Sequence, residues 1–266
     1  MNVVITGSTK GIGLGMAREF LRRGHRVVVS SRGQAAVDHA MAQLQQEFSA
    51  EDIVGQPCDV ADRGQVQSLW DTAKARLGTV DIWINNAGRD GIQDLFHQLP
   101  PEDYEGTVKT NLIGVMHCDH VALNGMHEQG SGTIWNMEGF GSNGQTMAKY
   151  GPYGTTKYGL RYFTKVLAKE CADTPVSVCY LSPGMVITDM LISEEMRNGP
   201  DWSKKRGIYN ILADRVDVVT PWLVDNVLAN DGKNGAAVRW LTTPKVIWRF
   251  LTAKITGRDI LTPMGM

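Results

Sequence analysis

The run Val3-Val4-Ile5-Thr6 is rich in β-branched residues and too short for a helix, and glycines follow it at positions 7, 11, 13 and 15. Met16, Ala17, Phe20 and Leu21 then recur at helical spacing until Gly24, and Arg26 to Ser31 is a second β-branched run. Strand, glycine turn, helix and strand in close succession make a βαβ unit. Such a unit constrains the whole chain. Its strands are parallel, its crossover is right-handed, and the sheet it begins must be covered on both faces.

The alternation continues. Residues 34–48 predict a helix, 52–57 a strand running into Cys58-Asp59-Val60, and 62–77 a helix ending at Gly78. Val80 to Ile84 predicts a buried strand closed by Asn85-Asn86-Ala87-Gly88. A long helical region at 102–127 leads to a strand from Thr133 to Asn136 and a glycine-rich loop at 138–152. A helix from Tyr153 to Glu170 and a strand from Val176 to Leu181, closed by Ser182-Pro183-Gly184, complete this part. No Pro/Gly/Ser linker divides the chain. The expected fold class is α/β: a single doubly wound Rossmann domain over 1–266, with a parallel sheet of about seven strands flanked by helices.

After 184 the pattern loosens. Residues 185–231 read as a substrate-binding segment, irregular as far as 202 and then forming two helices separated near Asp214. Residues 232–266 read as a C-terminal extension, with a last strand near Ala236–Leu241 and a helix over Val246 to Ile255. This extension carries Lys233, Arg239, Lys245, Arg249, Lys254 and Arg258 against the single acid Asp259, with Trp240, Trp248 and Phe250 among them.

Composition narrows the function classes. Of 266 residues, 42% are hydrophobic and 21% charged, which excludes disorder as the main state. The 27 Lys+Arg balance 28 Asp+Glu, which argues against nucleic acid as a partner. Cys58, Cys118, Cys171 and Cys179 form no CxxC pair and lack metal-site spacing with the histidines, so buried reduced thiols and no metal are expected. There is neither a secretory signal nor a long uncharged apolar run, so a cytoplasmic chain without a spanning helix is expected.

Gly7-x-x-x-Gly11-x-Gly13 lets the backbone turn tightly and approach a pyrophosphate at the N-terminus of the next helix; Thr9, Lys10 and Ile12 lie in the same turn. An NAD site needs an acid at the end of the second strand to accept from the ribose hydroxyls. Here that strand ends Ser30-Ser31-Arg32, with no acid before Asp38. Lys10 and Arg32, beside Ser31, suit a 2′-phosphate, so the expected cofactor is NADPH/NADP+. Asp59 and Val60 close the third strand beside the adenine, and Asn86, Ala87 and Gly88 close the fourth.

Tyr153-x-x-x-Lys157 puts two side chains on one helix face. A free phenol ionises near pH 10, and a neighbouring ammonium brings it toward working range. With the glycine turn, these motifs resemble the short-chain dehydrogenase/reductase family over nearly the whole chain: Thr6-Gly7-Ser8-Thr9-Lys10-Gly11-Ile12-Gly13, Cys58-Asp59-Val60, Asn85-Asn86-Ala87-Gly88, Asn111, Tyr153/Lys157 and Pro183-Gly184. The resemblance implies Tyr153 as proton donor or acceptor and Lys157 on the nicotinamide ribose and on the Tyr ionisation. It also implies that Asn111 links Lys157 to solvent through an ordered water; a polar residue repairing a helix irregularity is the other reading of Asn111. Pro183, Gly184, Val186 and Thr188 are expected beside the cofactor. A homodimer or homotetramer through 102–127 and 153–170 is implied as well.

One departure stands out. The family pattern has a Ser about thirteen residues before the Tyr, where this chain has Phe140, and strand alignment puts Glu138 and Gly139 in the usual Asn-x-Ser-Ser. Ser142 is the nearest hydroxyl and the candidate for that catalytic role; the alternative is that it is a loop residue only. The same segment, Asn136-Met137-Glu138-Gly139-Phe140-Gly141-Ser142, is similar to that of the chlorophyll(ide) b reductases. So are Asp81 to Gly88, Tyr153 to Lys157, Leu181 to Asp189 and Tyr209 to Ala213. This resemblance implies NADPH-dependent reduction of the C7 formyl group of chlorophyll(ide) b to hydroxymethyl, and association with a photosynthetic membrane. Met185, Met190, Leu191, Ile192, Met196, Trp202 and Tyr209 are then either cleft lining for a bulky formyl-tetrapyrrole or a helix packed on the core. The basic, Trp-bearing extension is either a peripheral membrane contact, a partner for pigment carboxylates or a subunit interface. Reduction of another bulky aldehyde or ketone, or a non-catalytic NADP(H)-binding scaffold, are the alternative functions.

Overall fold

In the computed structural model, which describes residues 1–192, 194–199 and 202–266, the β-branched runs become the sheet. Its strands are β1 (Asn2–Ile5), β2 (Arg26–Val29), β3 (Ile53–Gly55), β4 (Ile82–Asn85), β5 (Gly132–Met137), β6 (Val176–Ser182) and β7 (Ala237–Arg239). They lie in the order β3-β2-β1-β4-β5-β6-β7, and every pairing is parallel. The chain steps outward from β1 to β3, returns to β4 beside β1, and steps outward the other way. The topological switch therefore lies between β1 and β4, where a crevice opens beyond the carboxyl ends of the strands.

The helices are α1 (Gly11–Arg22), α2 (Gln34–Gln45), α3 (Arg63–Leu77), α4 (Pro101–Val108), α5 (Gly114–Gln129), α6 (Gly151–Glu170), α7 (Glu194–Arg197), α8 (Trp202–Leu212), α9 (Val216–Ala229) and α10 (Thr243–Thr256). Alternate strand residues face opposite sides, which is why both faces of the sheet are apolar. Val3, Ile5, Val27, Val29, Trp135 and Leu181 pack with Met16 and Phe20 of α1 and Leu223 and Val227 of α9. Val4, Val28, Trp83, Ile134 and Val178 pack with Leu69 and Trp70 of α3, Val121 of α5 and Leu167 of α6. All four cysteines are buried and unpaired, and burial pushes their thiols up, to about 12 at Cys58 and about 11 at Cys179. They are inert as nucleophiles at neutral pH.

The helical region expected at 102–127 is two helices joined by a π turn, Lys109–Ile113, which contains Asn111. The strand expected at 52–57 contracts to Ile53–Gly55, and α10 starts earlier than the apolar pattern indicated because Pro244 suits a first helical turn. A buried amide network fixes the ends of β4 and β5. Asn85 Nδ2 donates to Asn136 Oδ1 and Asp119 Oδ1, both at 2.7 Å, and Asn136 Nδ2 donates to Asp119 Oδ2 at 2.9 Å. Burial pushes the Asp119 carboxyl up to about 7.

The C-terminal extension is fastened to the segment 185–231 at Asp214. Asp214 N donates to Met185 O and Ile187 N donates to Asp214 O, each at 2.9 Å, in a parallel bridge at Val186. The buried Asp214 carboxylate accepts from Trp240 Nε1 at 2.6 Å, from Arg249 Nη2 at 2.8 Å and from Arg258. Lys245 Nζ sits 3.2 Å from the centre of the Trp240 ring. Arg249 and Arg258 thus turn inward, while the side chain of Lys254 lies outside those described. The exposed face of α10 is instead apolar: Ile247, Trp248, Phe250, Leu251 and Ile255. Among the described residues no helix is long and apolar enough to cross a membrane, and no cluster of acidic, His or Cys side chains could hold a metal.

Candidate active site

The glycine turn forms between the ends of β1 and β4. Gly7 and Gly11 have φ of +62° and +57°, a region L side chains rarely adopt. At Gly13 a Cβ would lie 2.4 Å from Gly7 O and 2.6 Å from Asn86 Nδ2, so only glycine lets α1 start against the turn. Asn86 Nδ2 donates to the carbonyls of Thr6 and Gly7, each at 2.9 Å, and Thr6 Oγ1 accepts from the N–H groups of Asn86 and Ala87, each at 3.1 Å. These bonds join the two strand ends and leave the first N–H groups of α1 without a side-chain cap. Uncapped N–H groups and the positive end of the helix dipole form an anion site.

The end of β2 is equipped for a second anion. Ser31 Oγ is buried without a hydrogen-bond partner. The adjacent Arg32 is exposed and makes no hydrogen bond or ion pair with the described residues. Lys10 reaches Asp189 at 3.4 Å with both side chains mostly in solvent. An orphaned hydroxyl and a free guanidinium near the turn fit the 2′-phosphate of NADP(H) and would hold it there. Cys58 N donates to Ser31 O at 2.8 Å, which brings half-buried Asp59 and buried Val60 alongside. Thr188 stands against Gly11, where a Cβ would lie 3.3 Å from Thr188 Cγ2, so the stretch after Pro183-Gly184, with buried Val186, meets the turn from the other side. Thr9 and Ile12, each half-buried, complete the turn. R32A is expected to weaken NADPH binding roughly 10- to 100-fold and leave NADH unchanged, as read by fluorescence titration with both; equal losses would remove Arg32 from phosphate recognition.

Tyr153 lies in the first turn of α6, with Lys157 one turn on. Lys157 is buried; its Nζ donates to Met137 O at 3.0 Å and lies 5.8 Å from the Tyr153 ring centre. Burial lowers the ammonium to about 8, opposed by the Glu138 carboxylate. The expected lowering of the Tyr153 phenol by the ammonium is not seen: burial pushes it well above its ordinary value, with Asp90 and Tyr150 adding to it, so the proton stays on the oxygen. Asn111, in the π turn, pairs with both backbone groups of one residue in the loop after β4: its Oδ1 accepts from Arg89 N at 2.8 Å and its Nδ2 donates to Arg89 O at 2.7 Å. A Cβ on Gly88 would lie 3.3 Å from Asn111 Oδ1 and 4.0 Å from Lys157 Nζ, so Gly88, Asn111 and Lys157 converge. Single-turn π insertions recur at functional sites.

Gly139 faces Tyr153 and Lys157. A Cβ there would be 2.3 Å from Tyr153 Oη and 3.2 Å from Lys157 Cε. Ser142 closes the following turn: its Oγ accepts from Gly139 N at 3.0 Å and its N donates to Gly139 O at 3.1 Å. The Ser142 O–H has no acceptor among the described residues. Spacing alone did not bring out the aromatic series Phe140–Tyr150–Tyr153, with ring centres 5.6 and 6.4 Å apart. Nor did it reveal the partners of Glu138, which are Arg239 and Arg161.

Of the two readings left open for the apolar residues after 184, the structure shows packing into a core. Ile192 and Tyr209 are buried with Ala213 and Leu261, and Met185, Leu191, Met196 and Trp202 pack around them; Met190 is 45% exposed. Exposed apolar side chains instead lie on two loops tied by Lys149 Nζ and Asp94 Oδ1 at 3.3 Å: Ile92, Leu95 and Phe96 on one, Phe140 and Met147 on the other.

The family model described as short chain dehydrogenase matches residues 1–198. The chain is 39% identical to the chlorophyll(ide) b reductase NOL of Arabidopsis thaliana, over 96% of this chain and 74% of that one. It is 37% identical to the probable chlorophyll(ide) b reductase NYC1 of Oryza sativa over 95% of its own length, and spans about half (52%) of that relative. Among solved structures, an actinorhodin polyketide ketoreductase variant with NADPH has a TM-score of 0.77 at 27% identity, covering 90% of this chain and 95% of that one. Sheet order, glycine turn and family match agree, and the chain belongs to the short-chain dehydrogenase family of oxidoreductases.

Proposed function

We propose that this protein uses NADPH to reduce the C7 formyl group of chlorophyll b or chlorophyllide b to a hydroxymethyl group. The observation that carries the reading is identity of 37–39% to chlorophyll(ide) b reductases over 94–96% of the chain, well past residue 198 where the family match ends. Exposed apolar and aromatic side chains on the two tied loops suit a large flat ring better than a small aldehyde.

NADPH, when bound, supplies a hydride from its nicotinamide C4 to the formyl carbon. Tyr153, which burial keeps protonated, gives its proton to the carbonyl oxygen as negative charge develops there. The Lys157 ammonium stabilises the phenolate left behind and holds the nicotinamide ribose. Asn111, beside Lys157 at Gly88, stands on the route by which the phenolate regains a proton from solvent. The Ser142 hydroxyl, oriented by Gly139 N, donates to the same carbonyl oxygen.

Peripheral membrane contact belongs to this reading. Its support is the apolar face of α10, with Leu251 at 70% and Ile255 at 86% exposure, rather than the arginines engaged by Asp214. Self-association as a homodimer or homotetramer is supported by Tyr158 and Tyr162, exposed on α6. The test is incubation with NADPH and chlorophyllide b, free or partitioned into anionic vesicles with which the protein should co-sediment. One 7-hydroxymethyl product is expected per NADPH consumed. No turnover, beside brisk turnover of small aldehydes, would overturn the substrate assignment.

A further inference from the structure

We infer that Glu138 is a positioning residue for the Tyr153–Lys157 pair: it anchors the strand end on which both side chains rest and is the carboxylate that Arg161 and Arg239 share. The inference rests on reading Tyr153 and Lys157 as the reacting pair.

Glu138 lies directly between Met137, whose carbonyl receives the Lys157 ammonium at 3.0 Å, and Gly139, whose missing side chain makes room for Tyr153 Oη. Its own N–H donates to Leu181 O at 2.7 Å, extending the β5–β6 pairing by one residue. Its side chain is 5% exposed and bound from two directions. Arg239 on β7 takes both oxygens, through Nε at 2.8 Å and Nη2 at 3.2 Å. Arg161 on α6, one turn beyond Lys157, approaches through Nε at 3.4 Å. A buried carboxylate held by a bidentate guanidinium cannot drift, and the backbone on both sides of it is fixed with it.

The charges around Lys157 come from several elements. Its own helix brings Tyr153 and Arg161. The end of β5 brings Glu138, and β7 brings Arg239 behind it. The π turn brings neutral Asn111, and the loop after β4 brings Gly88, Arg89 paired with Asp103, and Asp90, which acts on Tyr153. Glu138 is therefore the acid that favours the ammonium form of Lys157. Without its charge, Arg161 and Arg239 would stand unneutralised beside a third cation.

The sign of each substitution follows. E138Q keeps the shape, removes the charge, and should lower the pH at which Lys157 loses its proton by about one unit. E138D keeps the charge and should hold it near the parent value. R239Q removes a cation from behind Glu138 and should move it upward. The measurement is the pH titration of the Lys157 13Cε resonance in lysine-labelled full-length protein, assigned by its loss in K157R. The upper pH limit of NADPH-dependent reduction should move in the same directions, with NADPH affinity unchanged.

A purely structural Glu138 would change thermal stability and leave these titrations where they are. The inference is overturned if the E138Q titration falls within about 0.2 units of the parent, or if R239Q moves it downward as well. Absence of chlorophyllide b turnover in the parent protein would count against the proposed substrate alone. The NMR titration would still decide the role of Glu138.

Discussion

Y153F is expected to bind NADPH as the parent protein does and to reduce its carbonyl substrate about 10²- to 10⁴-fold more slowly. The substitution removes one oxygen and leaves a ring of the same shape, edge-on to Tyr150 in the aromatic series. The fold and the cofactor crevice have no reason to change. What is lost is the proton that must reach the carbonyl oxygen as the hydride arrives. Burial holds that proton on Tyr153, and in the proposed mechanism the Lys157 ammonium stabilises the phenolate once it has gone. Single-turnover NADPH oxidation, with a separate fluorescence titration of NADPH, separates chemistry from binding. A variant within about tenfold of the parent would transfer the acid role to another group.

Gly139→Ser, which returns a hydroxyl to the position where the family pattern has one, is expected to lower turnover about 10²-fold. The reason is space. A Cβ at 139 would lie 2.3 Å from Tyr153 Oη, so the phenol must be displaced from the point where it meets the substrate. G139A should lose activity nearly as much, because the carbon and not the hydroxyl is the obstacle. Steady-state rates for both variants, beside unchanged NADPH affinity, check this. G139S at or above parent turnover would mean that the loop yields around the new side chain. The two readings of Ser142, a hydroxyl held by Gly139 N for the substrate or a turn fastener, are separated by S142A, whose turnover falls on the first reading and stays at the parent rate on the second.

The parts of the fold that follow local rules were legible in the sequence. β-branched runs separated by helical spacing gave the seven parallel strands. The glycines at 7, 11 and 13 marked a turn whose φ values and close contacts only glycine accepts. The residues that converge at Gly88 came from matched motifs, not from periodicity. What was not legible depends on pairings distant in sequence. Glu138 and Arg239 are 101 residues apart, and Arg258 and Asp214 are 44 apart. No spacing rule connects such residues, and a basic tail reads as a solvated face until its acceptor is located. The two readings of the apolar residues after 184 stayed open for a related reason, since an apolar run that packs on Leu261 looks in sequence like one that lines a cleft.

The junction at Asp214 also bears on how such a protein can change over generations. Trp240, Arg249 and Arg258 reach from the tail to one carboxylate, whose backbone is bridged to Val186 only a few residues from the stretch that meets the glycine turn. Tail and the stretch around Val186 are thus joined through one acid. A recombinant that exchanged one without the other would part that acid from its bases, and joint replacement is the exchange that keeps them together.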